Sequence, residues 1–115
     1  MTISPPNADQ GATRHLDDHR QQAVQLLKAL ANEHRLTILC HLREGEISVT
    51  ELGSHLPLSQ SALSQHLACL RAEQLVACRR EAQSMYYHIA DNKAERVIQL
   101  LNELYGQPET GGQNV

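Results

Sequence analysis

LSQSALSQHLACLRAEQLV, residues 58–76, is the stretch whose reading decides the fold. Leu63, Leu67 and Leu70 stand at i, i+4 and i+7, the spacing that lines apolar side chains along one helix face. Ser59 sits just ahead of them, where a hydroxyl accepts a hydrogen bond from a first-turn N–H, so a helix is predicted from Gln60 to about Glu73. Immediately upstream, Ser48-Val49-Thr50-Glu51 fits the capping box, in which Ser and Glu satisfy each other's backbone N–H groups. A short helix therefore begins near Val49, and it ends before Pro57 because the residue preceding a proline avoids the helical region. Two helices joined by a short turn make a helix-turn-helix.

Beyond Gln74 the apolar period changes from helical to alternating. Leu75 to Arg80 and Met85 to Ala90 read as two strands, with Glu81-Ala82-Gln83-Ser84 as the hairpin tip. A hairpin placed directly after a helix-turn-helix is a wing. Asn92 and Glu95 form an N-cap and N3 pair for a last helix to about Tyr105, with Val97, Leu100, Leu101 and Leu104 on its apolar side. Toward the N-terminus a helix is predicted from about Asp17 to Ala31, with Ala23, Val24, Leu27, Leu30 and Ala31 on one stripe. A second follows through Leu36, Leu39, Cys40 and Leu42, and Gly45 is placed to end it. Residues 1–14 and 106–115 read as flexible tails around one domain, 15–105. The expected fold class is mainly α with a small β-hairpin: a winged helix-turn-helix, paired as a homodimer through its first and last helices.

Composition narrows the function. The chain has 115 residues, enough for one domain, and its core must be aliphatic because Trp and Phe are absent and Tyr numbers three. The formal net charge is −3, from 10 Lys and Arg against 13 Asp and Glu, so overall charge does not point to a polyanion. The distribution is more informative. Residues 48–90 balance Arg71, Arg79 and Arg80 against Glu51, Glu73 and Glu81, whereas residues 91–115 carry a net −2. The acidity thus sits away from the helix-turn-helix and wing. No apolar run approaches the ~20 residues of a membrane span, no signal-peptide pattern opens the chain, and three unevenly spaced cysteines suit a reducing compartment. A cytoplasmic protein without membrane partners is expected.

With Leu63, Leu67 and Leu70 facing the core, Gln60, Ser61, Ser64 and Gln65 turn outward, and His66 lies on the same helix. Gln can pair bidentately with adenine and Ser with bases or phosphates, and none of these side chains is bulky enough to keep a helix out of the major groove. The alternative is a solvated surface face, which every exposed helix has. Arg79 and Arg80 stand where a wing reaches phosphate or minor groove; the alternative is an ion pair with Glu81. His66 and His88 are read as interface or DNA-side groups. His15 and His19, at i and i+4 beside Asp17 and Asp18, have metal-compatible spacing but no accompanying motif, so no metal and no cofactor are expected. Cys40 is read as a small apolar residue of the second helix or as a reactive thiol. Cys69 and Cys78 are offset along their elements to the borderline of disulfide geometry, and no disulfide is expected. A nucleophile, base and oxyanion arrangement cannot be assembled, so no enzyme is expected.

LKALANEHRLTILCHL (27–42), LSQSALSQHLACLRAEQLV (58–76) and REAQSMYYHI (80–89) together resemble the ArsR/SmtB family of bacterial winged-helix repressors over nearly all of residues 20–105. The resemblance implies a homodimer bound to an inverted-repeat operator of double-stranded DNA and released by a metal or thiol-directed signal. Carried over position by position, it gives Gln60, Ser61, Ser64, Gln65 and His66 as reading-helix contacts and Arg79, Arg80 and Gln83 as wing contacts. The family's metal sites do not carry over. Ser48 and Thr50 stand where one site has thiolates, and Lys93 and Leu104 stand where another has imidazoles beside Asp91. REAQSMYY and the Cys of TILC are closest to the HlyU/BigR/SqrR thiol-sensing branch. Cys40 matches that branch's first cysteine, while its second falls at about Gly106, so the bridge of that branch cannot form in this chain. Either oxidant or reactive sulfur acts on Cys40 alone, or this chain has lost thiol sensing.

Overall fold

The computed structural model describes the backbone of residues 6–106 and the side chains of residues 18–106. Five helices and three strands follow in the order α1 Pro6–Leu30, α2 Glu33–Arg43, β1 Ile47–Ser48, α3 Val49–Ser54, α4 Gln60–Ala72, β2 Val76–Glu81, β3 Ser84–Ile89 and α5 Asn92–Tyr105. The chain folds as a winged helix-turn-helix.

The predicted serine caps of the helix-turn-helix are formed, without the return bond from the Ser48 N–H to the Glu51 carboxylate that a full capping box would add. Ser48 Oγ accepts from the Glu51 N–H at 3.1 Å and Ser59 Oγ from the Ala62 N–H at 3.0 Å, which fixes where α3 and α4 begin. Gly45 follows α2 at φ +134°, a conformation that side chains resist. One cap was not anticipated and another differs from expectation. Asn32 caps α2 by accepting from the His34 and Arg35 N–H groups, and Asp91, not Asn92, caps α5 by accepting from the Lys93 N–H at 2.6 Å. In both cases the chain starts the helix with whichever short polar acceptor is nearest its bend. α1 begins at Pro6, well before the expected Asp17, so residues expected in a tail continue the helical backbone. A proline suits a first helical position, where its missing N–H has no partner to lose. Residues 1–5 and 107–115 of the expected tails lie outside the described residues.

The hairpin register pairs Val76 with Ile89 through Glu81 with Ser84, leaving Ala82 and Gln83 as a two-residue turn. Ala82 takes φ +56°. β1, which the sequence does not announce, adds a third antiparallel strand by pairing Ile47 with Tyr87 and Ser48 with Tyr86, in the order β1-β3-β2. Two residues are too few for a periodic signal; it is the wing's free edge that organises them.

The core lies between the helix-turn-helix, α2 and the inner face of the sheet. Ile38, Leu39, Leu52, Leu67, Leu70, Leu75 and Val76 are fully enclosed, and Leu63 is buried with them. Removing one such Leu side chain costs about 2–5 kcal/mol, so these contacts set the orientation of α4 firmly. The expected stripes of the outer helices divide in two. On α1, Ala29 and Leu30 are buried and Leu26 packs beside them, whereas Val24 and Leu27 are exposed. On α5, Ala94 and Ile98 are buried while Leu100, Leu104 and Tyr105 are exposed. Each outer helix thus has one apolar face in the core and another that the single chain leaves uncovered.

Candidate nucleic-acid interface

α4 carries the predicted reading face. With Leu63, Leu67 and Leu70 held in the core, Gln60, Ser61, Ser64 and Gln65 are all exposed along its N-terminal half, and Ala68 continues the row. A cleft beside this row is lined by Val49, Thr50 and Gly53 of α3 and by Leu58, Gln60, Leu63 and Ser64. Gly53 lets the two helices approach: a Cβ there would stand 3.3 Å from Leu63 Cδ2. The face is uncharged, rich in amide and hydroxyl groups, and unobstructed.

His66 departs from that row. Its ring is half-buried against α2, where Arg35 Nη1 donates to His66 Nδ1 at 3.3 Å and the His34 ring centroid lies 5.7 Å away. Burial, then the Arg35 charge and His34, lower its pKa from the usual 6.5, so the neutral ring is favoured and accepts from Arg35. Position 66 falls at i+3 from Leu63 and i−1 from Leu67, close enough to the core stripe to be drawn inward. Arg35 is a residue that sequence reading missed. It donates through Nε to Ala29 O at 2.6 Å and through Nη2 to Lys28 O at 3.2 Å, satisfying the end of α1 while it reaches α4. Long-range contacts of this kind leave no local pattern.

The wing places its two arginines in different environments. Arg79 donates to Glu46 through Nε at 3.0 and 3.2 Å and through Nη2 at 2.8 Å, and to Glu81 through Nη1 at 2.6 Å. Its guanidinium carbon also lies 4.9 Å from the Tyr86 ring centroid. The hydrogen bond to Glu46, then that to Glu81, raises the already high Arg79 pKa, and the same bond lowers that of Glu46. His88 Nδ1 stands 3.5 Å from Glu46 Oε2, so this nitrogen joins the cluster while the side chain stays 43% exposed. The alternative of an ion pair with Glu81 is therefore what the free protein contains, extended by Glu46, which the sequence does not single out. Arg80, by contrast, is exposed and has no ion-pair partner among the described residues. Gln83 is exposed at the tip.

All three cysteines are free thiols. Cys40, expected on the apolar side of α2, is exposed instead, because Ile38, Leu39 and Leu42 occupy the core-facing arc. Cys69 and Cys78 are half-buried, and Arg71 Nη1 donates to Cys78 Sγ at 3.4 Å and to Tyr87 Oη at 3.3 Å. His15 and Asp17 lie outside the described side chains; His19 Nδ1 is 3.0 Å from Gln22 Oε1. Among the described residues no cluster of three or more His, Cys, Asp or Glu side chains is arranged to hold a metal, and no helix is long and apolar enough to cross a membrane.

Comparison with known proteins bears on this arrangement. Residues 32–77, spanning α2 to the start of the wing, match the family described as bacterial regulatory protein, arsR family. The transcriptional activator HlyU of Vibrio cholerae is 51% identical over 94 residues, covering 82% of this chain and 87% of HlyU. A solved structure of HlyU from Vibrio cholerae N16961 superposes with a TM-score of 0.73 at 54% identity, covering 77% of this chain and 97% of that one. The biofilm growth-associated repressor of Agrobacterium fabrum is 44% identical, covering 82% of this chain and 80% of its own length. A homodimeric winged helix-turn-helix DNA-binding domain from Mycobacterium bovis superposes with a TM-score of 0.69 at 31% identity, covering 77% and 82% of the two chains. The likeness lies on the HlyU and biofilm-repressor side of the family, as REAQSMYY and TILC suggest. This chain belongs to the arsR family of bacterial regulatory proteins, DNA-binding regulators of transcription rather than enzymes.

Proposed function

We propose that the protein is a homodimeric repressor that binds an inverted-repeat operator, laying α4 in the major groove and the wing against the flanking backbone. The observation that carries this reading is the exposed row Gln60, Ser61, Ser64 and Gln65 on a helix whose opposite face is locked in the core. Arg80 and Gln83 are the wing's available contacts, Arg80 to phosphate. Pairing through α1 and α5 would cover Leu27, Leu100 and Leu104 and set two α4 helices about 34 Å apart, one turn of duplex. The homodimeric Mycobacterium bovis neighbour and the Agrobacterium repressor support the dimer and the sense of regulation. HlyU is named an activator, so the sign is tested in a reporter strain: expression from the protein's own upstream DNA should rise on deletion.

Binding is tested by fluorescence anisotropy on that upstream duplex. Gln65→Ala and Ser64→Ala should each weaken binding by about 1–3 kcal/mol with unfolding unchanged. Unchanged affinity and specificity in both variants would remove α4 as the reading helix. Exposure of the Cys40 thiol favours a thiol signal, read by oxidant or reactive sulfur in the cytoplasm. Binding lost on polysulfide or peroxide treatment and restored by reductant is expected, and Cys40→Ser should abolish that loss. A Cys40→Ser protein that still responds would transfer the signal to Cys69 or Cys78.

A further inference from the structure

We propose that Arg79, held by Glu46, is a positioning residue that sets the wing against the helix-turn-helix, rather than a contact to DNA phosphate. This rests on the operator-binding reading and refines it. A phosphate-binding arginine needs free donors on its outer edge. Only one N–H on each terminal nitrogen of Arg79 remains: Nε and one Nη2 N–H are engaged by Glu46, one Nη1 N–H by Glu81, and its face covers Tyr86, so a phosphate would have to share a guanidinium already held by two carboxylates. Two carboxylates around one guanidinium also leave the cluster net negative, which repels a phosphate.

The chain positions of the partners explain what the cluster does. Glu46 immediately precedes β1, and β1 ends at Ser48, whose hydroxyl caps α3. Arg79 and Glu81 belong to β2, and Tyr86 to β3. β1 is only two residues long and pairs with β3 alone, so backbone pairing by itself ties the wing weakly to the segment that starts the helix-turn-helix. Arg79 crosses from β2 to Glu46 over that junction. A bidentate fork with a second carboxylate and an aromatic face fixes direction as well as distance, which a point-charge ammonium cannot do. The wing's pitch relative to α4, and so the reach of Arg80 and Gln83, is therefore set by the Glu46–Arg79 link.

The test uses full-length protein and two duplexes, its own upstream DNA and a scrambled sequence of equal length, titrated by anisotropy over a range of salt. Variants are Arg79→Ala, Arg79→Lys, Glu46→Gln, the double Glu46→Gln with Arg79→Ala, and Arg80→Ala. Thermal unfolding is recorded for each. A positioning role predicts that Arg79→Ala and Arg79→Lys weaken upstream binding several-fold while scrambled binding and the salt slope stay close to wild type. It also predicts that Arg79→Ala costs less in the Glu46→Gln background, since the link has already lost its charge and one of its two acceptor oxygens. Arg80→Ala, which removes one phosphate contact from each protomer of the dimer, should weaken both duplexes and lower the slope by about 1.8. The proposal is overturned if Arg79→Lys retains wild-type binding, if Arg79→Ala lowers both duplexes and the slope as Arg80→Ala does, or if its cost grows once Glu46 is neutralised. Those outcomes leave operator binding standing. Wild-type protein that does not discriminate the upstream duplex from the scrambled one removes the operator reading itself.

Discussion

Among the described residues Gly45, Gln74 and Ala82 hold positive φ, and the first two differ in how the chain meets the cost. Gly45 at φ +134° has no Cβ and open space around it, so Gly45→Ala should destabilise by about 1 kcal/mol or more through the backbone alone. Gln74 is at φ +62° although it bears a side chain. It closes α4: the Leu75 N–H donates to Leu70 O at 3.0 Å and the Gln74 N–H to Arg71 O at 2.8 Å, a paired-bond helix ending that normally uses glycine. Gln74→Gly should therefore stabilise by up to about 1 kcal/mol, the relief of strain exceeding the added freedom of the unfolded chain, as urea unfolding would measure. Gly45 is legible in the sequence as a helix stop. Gln74 is not, because its conformation is imposed by burial of Leu75 and Leu70 on either side, an effect of packing that no local preference encodes. The same reason hid the environment of Arg79 and the exposure of Cys40.

Among the elements, α3, α4 and the hairpin were legible because caps, a proline and two periodicities agree there. β1 and the Arg35 link from α1 to α4 were not, being products of assembly. That link gives α4 a pH dependence. His66 has its pKa lowered by burial, by Arg35 and by His34, so the unfolded chain binds the proton more readily than the folded one. Stability then rises with pH through this group: it is complete above about 6.5, the ring's ordinary value, and declines as pH falls below it. His66→Gln keeps an acceptor for Arg35 but does not titrate. Between pH 7 and 5 the wild type should lose more unfolding free energy than His66→Gln, and equal losses would place the acid sensitivity elsewhere. Because this contact ties α4 to α2, operator affinity should weaken over the same interval in the wild type more than in the variant.

At the scale of the whole molecule, the apolar surface not used by the core is gathered on the two outer helices. Leu27 and Leu104 are each 61% exposed and Tyr105 is 82% exposed, with Val24 and Leu100 beside them. Exposed apolar stripes on two helices of a small protein mark an interface, and a self-complementary pairing closes into a two-fold dimer without leaving a free edge. The division of each outer helix into a core face and an uncovered face is what the proposed dimer requires. The sequence showed both stripes but not which side chain served which. Leu27→Glu combined with Leu104→Glu should leave the fold intact, since neither side chain is in the core, and convert the protein to a monomer in sedimentation equilibrium. The monomer retains one α4 and one wing, so it should keep weak, salt-dependent binding to any duplex and lose the gain from engaging two half-sites at once. Shortening the spacer between half-sites by about 5 base pairs, half a helical turn, should cost the wild type dearly and the monomer nothing, because only a rigid pair of reading helices senses their phase along the groove.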